Sequence, residues 1–238
     1  MFKSLISAFF PNTCVSCGEI IDENEFLCDY CYCMLEQCAR DKLCLKCGLP
    51  KKNCMCKYDV YSFDGVVAPF YKDTSAKDAM YSFKFRGNLG AVKFFAERMA
   101  LAVKQYYSDI NFDMVCCVPM TFFAQNKRGY NQSALLGEQI AEILNLPFYK
   151  NLLYCKNKKR SQHKLSLKER KVNVKDVFDT NARLNGQTVL LVDDIKTTGA
   201  TLSECAKVLL SSGADKVYCV TGLITRKKGK KDGNRNRN

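Results

Sequence analysis

The sequence predicts an α/β protein: a parallel sheet covered by helices on both faces, with a small cysteine-built module ahead of it. Three observations carry this. Ten of the 15 cysteines crowd between Cys14 and Cys56 in a repeated pattern. From Phe63 onward, short apolar runs alternate with helical periods, the order that a parallel sheet requires. One of those runs, starting at Val189, ends in two acids, a small-residue turn and a helix start near Thr201.

The cysteine module is an internal repeat. Cys14-Val15-Ser16-Cys17-Gly18 recurs as Cys44-Leu45-Lys46-Cys47-Gly48. Each copy is followed by a second pair, Cys28 and Cys31 after the first, Cys54 and Cys56 after the second. The segment has few large apolar residues, and a unit this small is commonly stabilised by metal. An odd cysteine count without a secretion signal argues against a disulfide framework. Zinc takes four ligands in a tetrahedron, and cysteine pairs on tight turns supply two at a time. The economical assignment is one site from Cys14, Cys17, Cys28 and Cys31 and another from Cys44, Cys47, Cys54 and Cys56, leaving Cys33 and Cys38 over. Spacing also permits the pairs to interleave between sites. Redox dithiols, disulfides or an iron–sulfur cluster are the competing readings. A closed four-cysteine site is structural, because it leaves no position for substrate.

The elements then follow in order. Gly65 to Tyr71 reads as a strand, and Ala76 to Phe85 as a helix. Leu89 to Tyr107 is a second helix, with Val92, Phe95, Met99, Ala102 and Val103 at three- and four-residue steps. Met114 to Val118 is a buried strand ended by Pro119, and Gln132 to Leu144 a helix. Lys156 to Lys175 has no period and is dense in Lys, Arg, Ser and Asn, which predicts a long mobile loop. Thr188 to Val192 is a strand, Ala200 to Ser212 a helix stopped by Gly213, and Lys216 to Leu223 a last strand. Cys116, Cys117, Cys205 and Cys219 fall on these elements as small core residues. Gly233 to Asn238 is expected to be disordered.

Composition sets limits. At 47% hydrophobic and 26% charged, the 238 residues are ordinary globular material for one or two domains. No stretch approaches the ~18 consecutive apolar residues of a membrane span. The apolar run from Leu5 to Phe10 is cut short by Pro11, so no signal peptide is expected and the cytosol is. Residues 1 to 60 hold 7 Lys/Arg against 8 Asp/Glu, whereas the tail from Arg226 holds 7 against 1. Four thiolates around one Zn²⁺ make the first module more acidic still. A polyanion is therefore expected to dock on the second half.

The run Val189-Leu190-Leu191-Val192-Asp193-Asp194-Ile195-Lys196-Thr197-Thr198-Gly199-Ala200-Thr201 carries the chemistry. Ligands of open α/β sheets sit beyond the carboxyl ends of the strands. A helix N-terminus offers unpaired N–H groups and partial positive charge to a phosphate. Gly199 permits close approach, and the threonine hydroxyls add donors. Two adjacent carboxylates do not bind phosphate, but they accept hydrogen bonds from sugar hydroxyls and help hold Mg²⁺ through water. The combination points to a sugar with a phosphate and free hydroxyls. An incidental acidic turn is the competing reading.

This stretch resembles the signature by which type I phosphoribosyltransferases bind phosphoribosyl pyrophosphate. The resemblance implies that Asp193 and Asp194 hold the ribose hydroxyls and that Thr197, Thr198, Gly199, Ala200 and Thr201 cradle the 5′-phosphate. Further motifs are Lys84-Phe85-Arg86-Gly87, Val118-Pro119, Arg128-Gly129-Tyr130-Asn131-Gln132, Ser161-Gln162, Leu165-Ser166 and Glu169-Arg170. They resemble the ComF competence family, whose members join a double zinc ribbon to a phosphoribosyltransferase domain. Cys117 stands where that family usually has proline, Tyr130 where it has phenylalanine, and Phe122, Phe123 and Ala124 in a loop commonly basic.

The resemblance implies a zinc ribbon over residues 1 to 60 and a type I phosphoribosyltransferase-like domain over 61 to 225; charge alone marks 226 to 238 as a basic tail, read either as a non-specific DNA or RNA contact or as a solubilising disordered end. It implies phosphoribosyl pyrophosphate and Mg²⁺ as ligands, and a role in natural transformation on single-stranded DNA beside competence or recombination machinery. The alternatives are a non-catalytic ligand sensor that binds DNA and a small-molecule transferase acting on a nucleobase or amine. Lys84, Arg86, Arg128 and Arg170 are candidates to meet pyrophosphate or nucleic-acid phosphate, against the bland reading of solvated charges. His163, the single histidine, is an acid–base candidate or a solvated loop residue. Asn131 and Gln132 double as helix-capping residues. Phe85, Phe122, Phe123 and Tyr130 either stack on bases or are buried.

Overall fold

The structure is a computed structural model that describes residues 11–38, 43–54, 56–58, 60–86, 89–121, 125–126, 128–156 and 176–226. Two nine-residue strands form its centre, β7 (Thr188–Lys196) and β8 (Lys216–Ile224). Both are nearly continuous apolar runs, as strands buried on two faces must be. Around them lie β1 (Gly65–Val67), β2 (Phe70–Tyr71), β3 (Met114–Cys117) and β4 (Phe148–Tyr149). The order is β1-β8-β7-β3-β4, with β2 also on β8, and every pairing is parallel. A separate antiparallel pair joins β5 (Tyr154–Cys155) to β6 (Phe178–Asp179).

Side-chain alternation along β7 sends Leu190 and Val192 to one face and Val189 and Leu191 to the other. The first face packs with α2 (Thr74–Arg86), α3 (Leu89–Tyr106) and α4 (Gln132–Leu144), through Phe83, Phe95, Met99, Leu136 and Ile140 among others. The second face is covered by α5 (Ala200–Ser211), through Leu202, Cys205, Ala206 and Leu209. Helices therefore cover both faces, the arrangement the alternating pattern predicts. Among the described residues no helix is long and apolar enough to cross a membrane.

Three local differences have physical causes. The strand predicted over Gly65 to Tyr71 is split into β1 and β2. Pro69 has no N–H to give a ladder, and its carbonyl instead accepts the Cys38 N–H at 2.9 Å. The strand predicted to end at Val192 runs on to Lys196, because β8 continues to pair with it through Asp193↔Thr221, Ile195↔Leu223 and Lys196↔Ile224. The short β4, β5 and β6 and a five-residue helix, α1 (Asp29–Cys33), leave no period long enough to read. Residues 157–175 of the predicted loop and the end from Gly233 lie outside the described residues.

Candidate functional site

The eight cysteines of the repeat form two groups. Within Cys14, Cys17, Cys28 and Cys31, and within Cys44, Cys47, Cys54 and Cys56, all four sulfurs lie within 4.8 Å of one another. Cys17 and Cys28 are 3.7 Å apart, Cys44 and Cys56 3.7 Å, and Cys47 and Cys54 3.8 Å. A tetrahedron with metal–sulfur bonds of 2.3 Å has sulfur–sulfur edges of about 3.8 Å, whereas a disulfide needs about 2.05 Å. The donor sets thus fit a four-coordinate thiophilic metal, grouped without interleaving.

Both leading turns close alike. Gly18 N–H donates to the Cys14 carbonyl at 2.9 Å and Gly48 N–H to the Cys44 carbonyl at 2.7 Å. Burial pushes the Cys14 thiol up, but backbone donors from Cys17, Cys28 and Ser16 bring it down to about 7. Cys44 likewise ends at about 7, burial being outweighed by the Cys47 backbone and the neighbouring thiols. A thiolate-forming ligand is therefore built into each leading turn. Cys33 is exposed, and Cys38 is buried away from both groups with its thiol pushed up to about 12 by desolvation.

The acids are the sixth and seventh of the nine residues of β7. Asn131 assembles their surroundings. Its side chain accepts the N–H groups of Ser133 and Ala134, capping α4, and donates to the Val118 carbonyl just past β3 at 3.1 Å. That fixes Ser133, whose hydroxyl donates to Asp193 Oδ1 at 2.9 Å. The same oxygen accepts the Asp194 N–H at 2.9 Å. Burial, and next the charge of Asp194, raise the Asp193 carboxyl to about 7, against the pull of the Asp194 N–H, Ser133 and Lys84. Lys84, from α2, forms an ion pair with Asp194.

The turn beyond β7 has Thr197 and Thr198 exposed and Gly199 buried. Gly199 occupies the N-cap position of α5 at φ 84°, a left-handed conformation in which glycine is unstrained. It has no side chain to cap the helix; the Thr198 hydroxyl takes the Ala200 N–H at 3.3 Å. Ala200 and Thr201 open the helix, half-buried. The result is a helix N-terminus beside two carboxylates, at the carboxyl end of a central parallel strand.

The other candidates separate. Arg128 is half-buried and donates to Gln132 Oε1 at 3.3 Å, at the start of α4. Tyr130 stacks on Phe83 at 6.0 Å and gives its hydroxyl to the Phe83 carbonyl, which ties it into packing. Arg86 closes α2. Cys116, Cys117, Cys205 and Cys219 are buried, and burial pushes all four thiols up. Phe122, Phe123, Ala124, His163, Arg170 and the motif residues from Ser161 to Arg170 lie outside the described residues. The sequence did not reveal Ser133 or Tyr61. Tyr61 packs on the turn, where a β-carbon at Gly199 would stand 3.0 Å from its ring.

The pattern of the family described as "Phosphoribosyl transferase domain" matches residues 95–235, more than half of the chain. Competence protein F of Haemophilus influenzae is 28% identical over 229 residues, covering 90% of this chain and 97% of that protein. Competence protein ComFC of Bacillus subtilis is 33% identical over 58% of this chain and 54% of its own length. DNA utilization protein YhgH of Salmonella typhi is 34% identical over 45% of this chain and 48% of its own. The chain thus spans about half the length of the latter two relatives. A match of that extent, on a parallel sheet whose central strand delivers acids to a helix start, makes the chain a member of the phosphoribosyl transferase domain family and a homologue of the competence proteins F and ComFC.

Proposed function

We propose that the chain binds phosphoribosyl pyrophosphate with Mg²⁺ at the β7–α5 turn and acts on imported single-stranded DNA at the cytosolic side of natural transformation. The observation that carries the ligand is the sequence of Asp193, Asp194 and the Gly199 turn into the N-terminus of a 12-residue helix. The first-turn N–H groups and the hydroxyls of Thr197, Thr198 and Thr201 suit the 5′-phosphate, and the carboxylates suit ribose hydroxyls. The DNA role is supported by relatives named for competence and DNA utilization, and by the basic surplus of the second half.

As a transferase, the protein would displace pyrophosphate at the anomeric carbon through a transition state with oxocarbenium character. Asp193, held by Ser133, and Asp194, neutralised by Lys84, orient the sugar. The turn anchors its phosphate, and Arg128 at the start of α4 is the candidate cation for the departing pyrophosphate. Mg²⁺, with the acids as water-mediated partners, would offset charge on that leaving group. Zinc is the metal we assign to the two cysteine groups, as structural ions in a ribbon over residues 1 to 60 ahead of a transferase-like domain over 61 to 225 and a basic tail.

The Lys84–Asp194 pair favours one second reading, a sensor that binds the ligand without turning it over, since one acid already has an internal cation. Pure protein, Mg²⁺ and phosphoribosyl pyrophosphate, offered a panel of bases, amines and DNA, separate the readings. Pyrophosphate release supports the transferase, saturable binding without release supports the sensor, and absence of binding ends both.

A further inference from the structure

The second cysteine group lies against the phosphate turn, and the contact runs through Tyr61. Lys46, between Cys44 and Cys47, gives its ammonium to the Phe63 carbonyl. The Leu45 carbonyl accepts the Val66 N–H at 2.9 Å. Cys47, Leu49, Ala68 and Ile224 form one buried cluster, on which Cys44, Cys54, Cys56 and Tyr61 all pack. Tyr61 also stacks on Phe63 at 4.9 Å with an interplanar angle of 20°. Its other contacts reach the turn itself. The Lys196 ammonium lies 5.4 Å from the ring centroid, and Lys196 is only 2% exposed. A β-carbon at Gly199 would meet the Tyr61 ring at 3.0 Å and the Lys196 Cε at 3.1 Å. The next residue reinforces the seat: Ser62 N–H donates to Ser203 Oγ at 2.9 Å, in the first turn of α5. Among the described residues the first cysteine group is not in the cluster on which Tyr61 packs. It packs into the cluster that holds α2 and α3.

We infer that Tyr61 is a positioning residue that couples the second metal group to the phosphate turn. The ordered four-cysteine group holds Tyr61, and the Tyr61 ring holds Gly199 and Lys196 in the conformation that presents the N-terminus of α5. Packed side chains that touch both ends provide the contiguous physical link such coupling needs. This rests on the sugar-phosphate reading only for its consequence at the ligand. The mechanical coupling stands on the contacts themselves.

Hydrogen exchange of the full-length protein tests it, read on the amides of Thr197 to Ser203. Tyr61→Ala should keep both metals by elemental analysis yet speed exchange in that segment by about tenfold, the scale of a lost aromatic contact on a locally opening turn. Tyr61→Phe should restore slow exchange, because the ring does the holding. Cys56→Ser should speed the same amides, while Cys17→Ser should leave them within about twofold. Unchanged exchange in Tyr61→Ala overturns the inference, as does equal loosening by Cys17→Ser and Cys56→Ser. Adding phosphoribosyl pyrophosphate with Mg²⁺ to the wild type judges the other reading. No added protection of the turn would sink the sugar-phosphate site while leaving the coupling to be decided on the unliganded exchange.

Discussion

Cys14 to Gly18 and Cys44 to Gly48 fold as copies of one turn, yet they sit on different ground. The first copy rests on helices: Phe26 packs against Phe94 at 5.9 Å, and the Ser16 hydroxyl donates to the Ser75 carbonyl at 3.2 Å. The second rests on the edge of the sheet, where Leu45 bonds β1 and Gly48 presses on Ile224 at the end of β8. Ile224 is paired with Lys196, the last residue of β7. The local cysteine geometry is thus the same in both, while the second copy bears on β1 and the end of β8 beside the β7–α5 turn. Equal motifs need not be equal parts once the chain path gives them different neighbours.

The largest expected effect is metal loss. Structural zinc supplies roughly 10–16 kcal/mol of folding energy per site in small zinc peptides. Cys14→Ser should remove one ion and expose the segment around the first cysteine group to protease, leaving β7, β8 and the turn protected. Cys44→Ser should remove the other ion and loosen β8 as well. Zinc analysis with limited proteolysis distinguishes them, and identical digestion maps would erase the contrast drawn above.

Next come the matched glycines. Gly18 and Gly48 both have left-handed backbones, at φ 85° and 69°. A β-carbon at Gly18 meets nothing within 4 Å, so Gly18→Ala should cost only the backbone strain of about 1–2 kcal/mol. At Gly48 it would strike the Ile224 side chain and stand 2.9 Å from the Val66 carbonyl. Gly48→Ala should therefore cost about 3 kcal/mol in denaturant unfolding. Equal costs would mean that the second turn is not pressed onto the sheet.

Ligand should sharpen the comparison from the other side. At a hundred times its dissociation constant, phosphoribosyl pyrophosphate with Mg²⁺ should stabilise the wild type by about 2.7 kcal/mol. That protection should extend into the second cysteine group and spare the first. Asp193→Asn with Asp194→Asn should abolish most of the thermal shift without unfolding the chain. An undiminished shift would remove the acids from the site.

The smallest effect is a pH slope that belongs to the turn and to neither module. The folded Asp193 carboxyl titrates near pH 7, above the unfolded value of about 3.9. Between those values the folded state binds the extra proton, so Asp193 makes stability fall as pH rises and adds no slope above about 7. The difference in unfolding midpoint between Asp193→Asn and wild type should grow across that window and then level off. Affinity for Mg²⁺ with ligand should rise over the same range, as the carboxyl ionises. A flat difference would place Asp193 in a more solvated setting.

Much of this was legible. The alternation of apolar runs and helical periods located β3, β7 and β8 with the helices α3, α4 and α5 around them, because burial on one or two faces imposes periods a sequence cannot hide. The acid pair and Gly199 were legible as a strand-to-helix junction for a similar reason: few structural demands produce that order of residue types, and the structure sets them between β7 and α5. The extension of β7 through Asp193 to Lys196 was not, since polar residues interrupt the apolar run while cross-strand bonds to β8 continue. Ser133 was also hidden. It reaches Asp193, sixty positions away, only because Asn131 pins the start of α4 to Val118 just past β3.

By itself the sequence determined the local donor sets: cysteines in pairs at turn spacing, and carboxylates ahead of a glycine turn at a helix start. Such features follow from bonds and hydrogen bonds within a few residues, so local order suffices. Which cysteine pairs join, what each module rests on, and that Tyr61 lies on Gly199 were decided only by the tertiary structure. Those contacts join segments far apart in the chain, and spacing along a sequence carries no information about which distant surfaces will pack together.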